Sequence, residues 1–224
     1  KCSSRISEMN HPSARQAAIL QARAEIARRP VYLDSETTGL GDSDQIVDIC
    51  VLDDEGQVLI DSLVRPTRPI PPEATRLHGI TDAMTASAPT WPEIWPRLQA
   101  ALAGRRVAIY NAEYDLRLMR QSHEMSNVQC PTSNVPTLDF GLWTLDFTIR
   151  PSDHPTNRPT ALCIMRLYAQ FYGEWNERRG SYRWHKLEVA AQRCGIPSQP
   201  VHRAKADALV ARAILHYMAE SESR

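Results

Sequence analysis

The chain has 224 residues, 42% of them hydrophobic and 23% charged, which is ordinary for a globular protein and excludes a wholly disordered, collagen-like or coiled-coil chain. The length suits one large domain or two small ones, at about 100–200 residues per domain. Twenty-six Lys and Arg balance 26 Asp and Glu, so a uniformly basic coat is excluded while a local basic face is not.

Five cysteines (Cys2, Cys50, Cys130, Cys163 and Cys194) are an odd number with no C-x-x-C spacing. They argue against a disulfide scaffold or zinc ribbon and for a reducing, cytoplasmic setting. No apolar run approaches the roughly 18 residues of a membrane span. Residues 1–30 lack the long apolar stretch of a signal peptide. An opening Lys1 rather than Met is compatible with a trimmed chain or with a piece of a longer one.

Residues 1–11 are polar. From Ser13 to Arg29 the pattern turns helical through Ala17, Ile19, Leu20, Ala24, Ile26 and Ala27, and Pro30 ends it. Six basic residues in 1–30 face two acids, which fits a solvated helical face or an arm that touches phosphates or a partner. Val31–Asp34 reads as a strand running into a Thr-Thr-Gly turn. Gln45–Asp53 and Gln57–Val64 read as a hairpin about Asp54-Glu55-Gly56. Pro66 to Pro72 is a loop with four prolines. Trp91–Ala103 is expected to be a helix, 105–110 a strand and Glu113–Met125 a helix. Three strands followed by alternating helix and strand predict a mixed sheet with helices on its faces. Residues 131–160 carry five prolines and read as an excursion from one domain. Helices are expected again over 160–172, 185–194 and 203–219, leaving 220–224 as a tail.

The chemistry concentrates in three segments. In Asp34-Ser35-Glu36-Thr37-Thr38-Gly39-Leu40 the two acids stand at i and i+2, and on a strand they share a face. Two such carboxylates repel unless cations neutralise them, and hard divalent ions with oxygen ligands are natural partners. The apolar lead-in Val31-Tyr32-Leu33 marks a buried strand rather than an exposed edge. Next, Asn111-Ala112-Glu113-Tyr114-Asp115 places Asp115 in the first turn of a helix just past a strand end, where sites of such sheets collect. An acid there also serves simply as a helix-dipole partner. Third, Asp207 leads the stripe Ala211, Ile214, Leu215 and Met218 at i, i+4, i+7, i+8 and i+11, so it faces the protein and needs a partner. His202 precedes that helix; its imidazole suits a surface or cap role, or proton removal near neutral pH.

Together these segments resemble the DnaQ-like (DEDDh) exonucleases, which include the proofreading epsilon subunit of bacterial DNA polymerase III. The matching motifs are Asp34-x-Glu36-Thr-Thr-Gly, Asn111-x-x-x-Asp115 and His202-x-x-x-x-Asp207, with Leu77-His78-Gly79-Ile80-Thr81 and Trp184-His185-Lys186-Leu187 as further similarities. The resemblance covers roughly residues 31–219. It implies an RNase H-like α/β fold with a mixed five-stranded sheet flanked by helices on both faces, preceded by the 1–30 segment. It implies metal-dependent 3′→5′ hydrolysis of DNA ends, releasing 5′-mononucleotides. Asp34, Glu36, Asp115 and Asp207 are expected to hold two Mg²⁺ or Mn²⁺, and His202 to act as general base. Thr37, Leu40, Leu77, His78, Tyr114 and Asn111 are expected around the terminal nucleotide, though core packing, loop hydrogen bonding and ring packing account equally for Leu40, His78 and Tyr114. The longer stretch between Asp115 and His202 and the helix before the first strand depart from the epsilon pattern, leaving substrate shape and protein partners through 1–30 or 131–160 open.

Between Phe171 and Lys205 seven basic residues outnumber three acids, with five aromatics interleaved. Packing explains most of the aromatics, and Arg178, Arg179 and Arg183 stay as candidate DNA contacts. Three functions therefore compete: an exonuclease on single-stranded DNA ends, the same chemistry on RNA, and a nuclease-fold binding module within a larger nucleic-acid-processing complex. The clustered acids disfavour the last, since a pure binder gains nothing from carboxylates that repel phosphates.

Overall fold

The computed structural model describes residues 11–129, 144–145, 159–198 and 201–222. In chain order they form α1 (His11–Ala27), β1 (Val31–Thr37), β2 (Ile46–Leu52), β3 (Val58–Leu63), α2 (Pro72–His78), α3 (Asp82–Thr85), α4 (Trp91–Leu102) and β4 (Arg106–Ile109). There follow α5 (Ala112–Gln129), β5 (Thr144–Leu145), β6 (Thr160–Cys163), α6 (Ile164–Tyr172), β7 (Trp175–Asn176), β8 (Ser181–Tyr182), α7 (Leu187–Arg193) and α8 (Ala204–Glu220). Most of the proline-rich 131–160 excursion, together with residues 1–10, lies outside the described residues.

The hairpin expected at 54–56 forms because Asp53 Oδ1 accepts the backbone N–H groups of Glu55 (3.0 Å) and Gln57 (2.7 Å), and Gly56 takes a φ of 83°. Strands β1, β2 and β3 make an antiparallel meander, and β4 and β6 add parallel to β1 in the order β3-β2-β1-β4-β6. This is the mixed five-stranded sheet, extended at its edge by the two-residue β5.

Alternation along β1 sorts the core. Tyr32 packs on one face with α1, α6, α7 and α8, while Val31 and Leu33 pack on the other with α4 and α5. Helices therefore cover both faces. Among the described residues no helix is long and apolar enough to cross a membrane.

Two expectations need correction. Thr160–Cys163 is a strand, not the start of a helix: it pairs with Arg106–Ile109 and enters α6 without a loop. The α1 helix is neither wholly solvated nor a free basic arm, because Ala18, Ile19 and Ala22 are fully buried. Arg15 donates to the Phe171 carbonyl (3.0 Å) and Arg23 to that of Ala219 (2.7 Å). Buried Glu25 receives Arg106 at 2.8 and 2.9 Å, which ties α1 to β4. The α1 basic side chains thus clasp the domain instead of waiting for phosphate.

Candidate active site

The carboxyl ends of parallel β1 and β4 lie side by side, the place where open sheets of this kind bind ligands. Asp34 and Glu36 project from β1 on the Tyr32 face, toward α8. Ser35 projects the other way, and its hydroxyl donates to Asp115 Oδ1 (2.7 Å) in the first turn of α5. Helix α8 brings Asp207, and the loop before it brings His202, whose Nδ1 lies 2.9 Å from Asp207 Oδ2. The other ring nitrogen lies 3.0 Å from Glu188 Oε1, on α7. One ligand atom each from Glu36, His202 and Asp207 fall within 4.8 Å of one another.

These groups share a cavity of about 500 Å³ lined by Asp34, Glu36, Asp115, His202 and Asp207, with Leu40, Leu77, Asn111 and Tyr114 among its other walls. Burial disfavours the charges of the four carboxyls, and their mutual repulsion adds to this at Asp34 and Glu36. Glu36 is pushed up to about 8, first by burial and then by Asp207 and Asp48. Asp115 is pushed up to about 7 by burial, against the pull of the Ser35 hydroxyl. Asp34 rises well above the usual carboxylate range through burial, then Asp115, Asp207 and Glu36. Asp207 also rises by burial, opposed by the His202 bond. A nest of crowded carboxylate oxygens whose charges burial penalises is the donor chemistry that hard divalent cations take.

The loop after β1 is tightly built. Asp44 accepts the Thr38 hydroxyl (2.7 Å) and the Gly41 N–H (2.6 Å). A Cβ on Gly39 would stand 2.7 Å from Asp44 Oδ2, which explains the glycine of Thr-Thr-Gly. Gln121 on α5 holds the Gly41 carbonyl (2.9 Å). Leu40 consequently stands 78% exposed at the pocket mouth, opposite Leu77 at 56% and Trp184 at 50%.

Two expected nucleotide contacts, Thr37 and His78, do not line the cavity. The Ile80 N–H donates to His78 Nδ1 (3.0 Å), so Nε2 carries the proton and donates to the Thr37 carbonyl (3.2 Å). Both ring nitrogens serve the fold, pinning the end of α2 to β1. The Thr37 hydroxyl is engaged with Tyr114 Oη (2.8 Å) and the Gly39 carbonyl (2.9 Å). Sequence reasoning passed over Ser35 and Glu188. Strand alternation could have flagged Ser35, but Glu188 meets His202 only through the packing of α7.

The family model RNase_T, described as exonuclease, matches residues 31–215. The chain belongs to this exonuclease family. A protein of Escherichia phage 186 named uncharacterized exonuclease CP81 is 37% identical over 191 residues, covering 85% of this chain and 88% of that protein. DNA polymerase III subunit epsilon of Pasteurella multocida is 27% identical over 117 residues, or 48% of this chain, and the match spans 46% of that protein. Among solved structures, Exonuclease X in complex with 5′-overhanging duplex DNA superposes with a TM-score of 0.55 at 22% identity, over 85% of this chain and 92% of that one. That likeness shows the fold. The exonuclease is thus DnaQ-like, built on the RNase H-like α/β architecture.

Proposed function

We propose that this exonuclease trims DNA from the 3′ end, one unpaired 5′-mononucleotide at a time, with two Mg²⁺ or Mn²⁺ ions. The observation that carries the reading is the meeting of Asp34, Glu36, Asp115 and Asp207 around one cavity, with His202 beside them. Asp34, Glu36 and Asp207 would hold one ion, and Asp34 and Asp115 the other. Such a pair, when bound, stabilises charge on both the attacking and the leaving oxygen of a phosphodiester.

The chain's own side chains do the rest. His202 is the group placed to accept a proton from the water that attacks phosphorus; Asp207 and Glu188 face its two ring nitrogens, a neutral imidazole donates to one of them, and the nitrogen released from the other carboxylate is the one that accepts. As the new P–O bond forms, the bond from phosphorus to the O3′ of the preceding nucleotide breaks. The terminal nucleotide leaves with its 5′-phosphate, and the shortened strand keeps a 3′-hydroxyl that takes a proton from solvent. Leu40 and Leu77 flank the terminal base, and Asn111 and Tyr114 shape the wall beneath it. Thr37 and His78 act from behind, holding the Leu40 loop.

The choice of DNA rests on the relatives: epsilon is named for a DNA polymerase, and Exonuclease X was solved with DNA. Gel time courses on 5′- and 3′-labelled DNA and RNA, with Mg²⁺, Mn²⁺ or EDTA, test the reading. The expected result is stepwise shortening of 5′-labelled DNA, immediate mononucleotide release from 3′-labelled DNA, and silence in EDTA. Asp34→Ala should abolish turnover while circular dichroism stays unchanged. Hydrolysis in EDTA, shortening from the 5′ end, or full activity of Asp34→Ala would overturn it; faster RNA trimming would move the substrate to RNA.

A further inference from the structure

A basic hollow adjoins the acidic cavity. Between α6 and α7 the short strands β7 and β8 form a hairpin, closed at Gly180 (φ 59°) and braced by the edge-on packing of Trp175 on Tyr182 with ring centres 5.0 Å apart. Beside it lies a hollow lined by Asn176, Arg179, Ser181, Tyr182, Arg183 and Trp184, about 680 Å³ in volume. Trp184 also lines the catalytic cavity, so the two spaces meet at its half-exposed indole.

Part of the positive charge there is not spent on the fold. Arg183 pairs with Glu174 (2.7 Å), and Glu177 is the remaining acid of the hairpin. Arg178, Arg179 and Lys186 are exposed, and among the described residues no ion pair engages them. The contrast with α1 and the turn after it is informative, because Arg15, Arg23, Arg28 and Arg29 all have intramolecular partners. Arg117, at the opposite rim near Leu40, is likewise committed, to the Leu40 and Gly41 carbonyls and to Asp42.

We propose that the β7–β8 hairpin, through Arg178, Arg179 and the face of Trp184, forms a track for the single-stranded DNA leading in the 5′ direction away from the terminal nucleotide. The inference rests on the exonuclease reading of the cavity and names the substrate path outside it. The physical need is plain. Two divalent ions would balance the four carboxylates of the cavity and hold only the phosphate being cut, so attraction for the phosphates further along the strand has to come from beyond it. Arg179 lines the hollow with the half-exposed Trp184 indole, and Arg166 lies over that ring at 5.4 Å, so phosphate attraction and a ring for stacking occur together, which suits a strand of any sequence. A duplex hides its base faces, so the indole favours an unpaired strand.

The test uses the full chain and an Arg178→Ala/Arg179→Ala variant, whose exposed turn residues hold nothing in the fold. Fluorescence anisotropy of labelled oligo(dT) in EDTA reads binding without cleavage. The 4-nitrophenyl ester of thymidine 5′-monophosphate, which has no strand beyond the cavity, reads the chemistry alone in Mn²⁺. The expected result is a Kd raised about five- to twentyfold, with the salt slope reduced by about 1.4 for two lost phosphate contacts. The Arg178→Lys/Arg179→Lys variant should recover most of that affinity, and turnover of the small ester should stay unchanged. Equal oligo(dT) affinity and equal salt slope in parent and variant would overturn the track, even where both hydrolyse DNA. A parent that turns over neither substrate would instead overturn the exonuclease reading, and the anisotropy result would stand by itself.

Discussion

His202 is one quarter exposed, with Asp207 2.9 Å from one ring nitrogen and Glu188 3.0 Å from the other, and the neutral ring donates to one of them. A ring so placed is oriented without being buried, and its removal takes no mass from the core. His202→Ala should therefore lower kcat by about 10²–10⁴, the usual worth of a general base, with little change in KM or melting temperature. Steady-state kinetics on labelled DNA beside a thermal melt would check this; kcat within a factor of about two of the parent would remove His202 from the chemistry. The residues gathered here differ in how far the sequence announces them. Asp34 and Glu36 are legible because strand alternation ties two acids to one face, and Asp207 because a helical stripe includes it. Glu188 is not, since its role comes from where α7 lies against the loop before α8. Thr37 and His78 illustrate the converse: a motif gives a residue's neighbourhood, while local hydrogen bonds engage both side chains within the protein, outside the cavity lining.

Between elements, the contact that most directly fixes the site is Arg203 on Asp48. Arg203 Nε donates to Asp48 Oδ2 at 2.8 Å, joining the start of α8 to β2, where Asp48 lies opposite Glu36 in the sheet register. Asp48 is 2% exposed, so loss of Arg203 strands a buried carboxylate. Arg203→Ala should cost about 1–3 kcal/mol in urea unfolding. It should also depress kcat, because His202 precedes and Asp207 follows the loosened turn. Unchanged unfolding midpoint and turnover would show that α8 is held by its apolar stripe alone. The stripe was readable from the sequence; this clasp was not, since Asp48 sits in an apolar strand with no spacing that points to Arg203. The misread at Thr160–Cys163 has a similar origin. Four apolar-leaning residues run straight into α6 with no Gly or Pro between, so helical periodicity extends through them, and only pairing with β4 makes them a strand. Strands β7 and β8 are two residues each, too short for alternation to register.

For the molecule as a whole, drawing acids from positions 34, 36, 115 and 207 into one cavity carries a cost that depends on pH. Glu36 moves from its ordinary 4.5 to about 8 and Asp115 from 3.8 to about 7, while Asp34 and Asp207 move in the same direction. A carboxylate with a raised folded value binds more protons folded than unfolded between its two values. These groups therefore favour the folded chain most below the unfolded values, and that contribution falls as pH rises, with the share of Glu36 gone above about 8. Divalent cations act the opposite way. They need the deprotonated cluster, which only the folded chain assembles, so they stabilise by mass action, by about 2.7 kcal/mol at a hundredfold excess over Kd. For a chain of this size that is about 5–10 °C in Tm. In EDTA, Tm should thus decline between about pH 5 and pH 8, and saturating Mg²⁺ should restore it at pH 8 while changing little at pH 5, where protons hold the oxygens. Glu36→Gln should lessen the decline in EDTA and shrink the Mg²⁺ response together, because that carboxyl contributes to both. Melts across that range check the coupling: a Mg²⁺ response equal at both ends would mean that protons and cations do not compete for these four carboxylates.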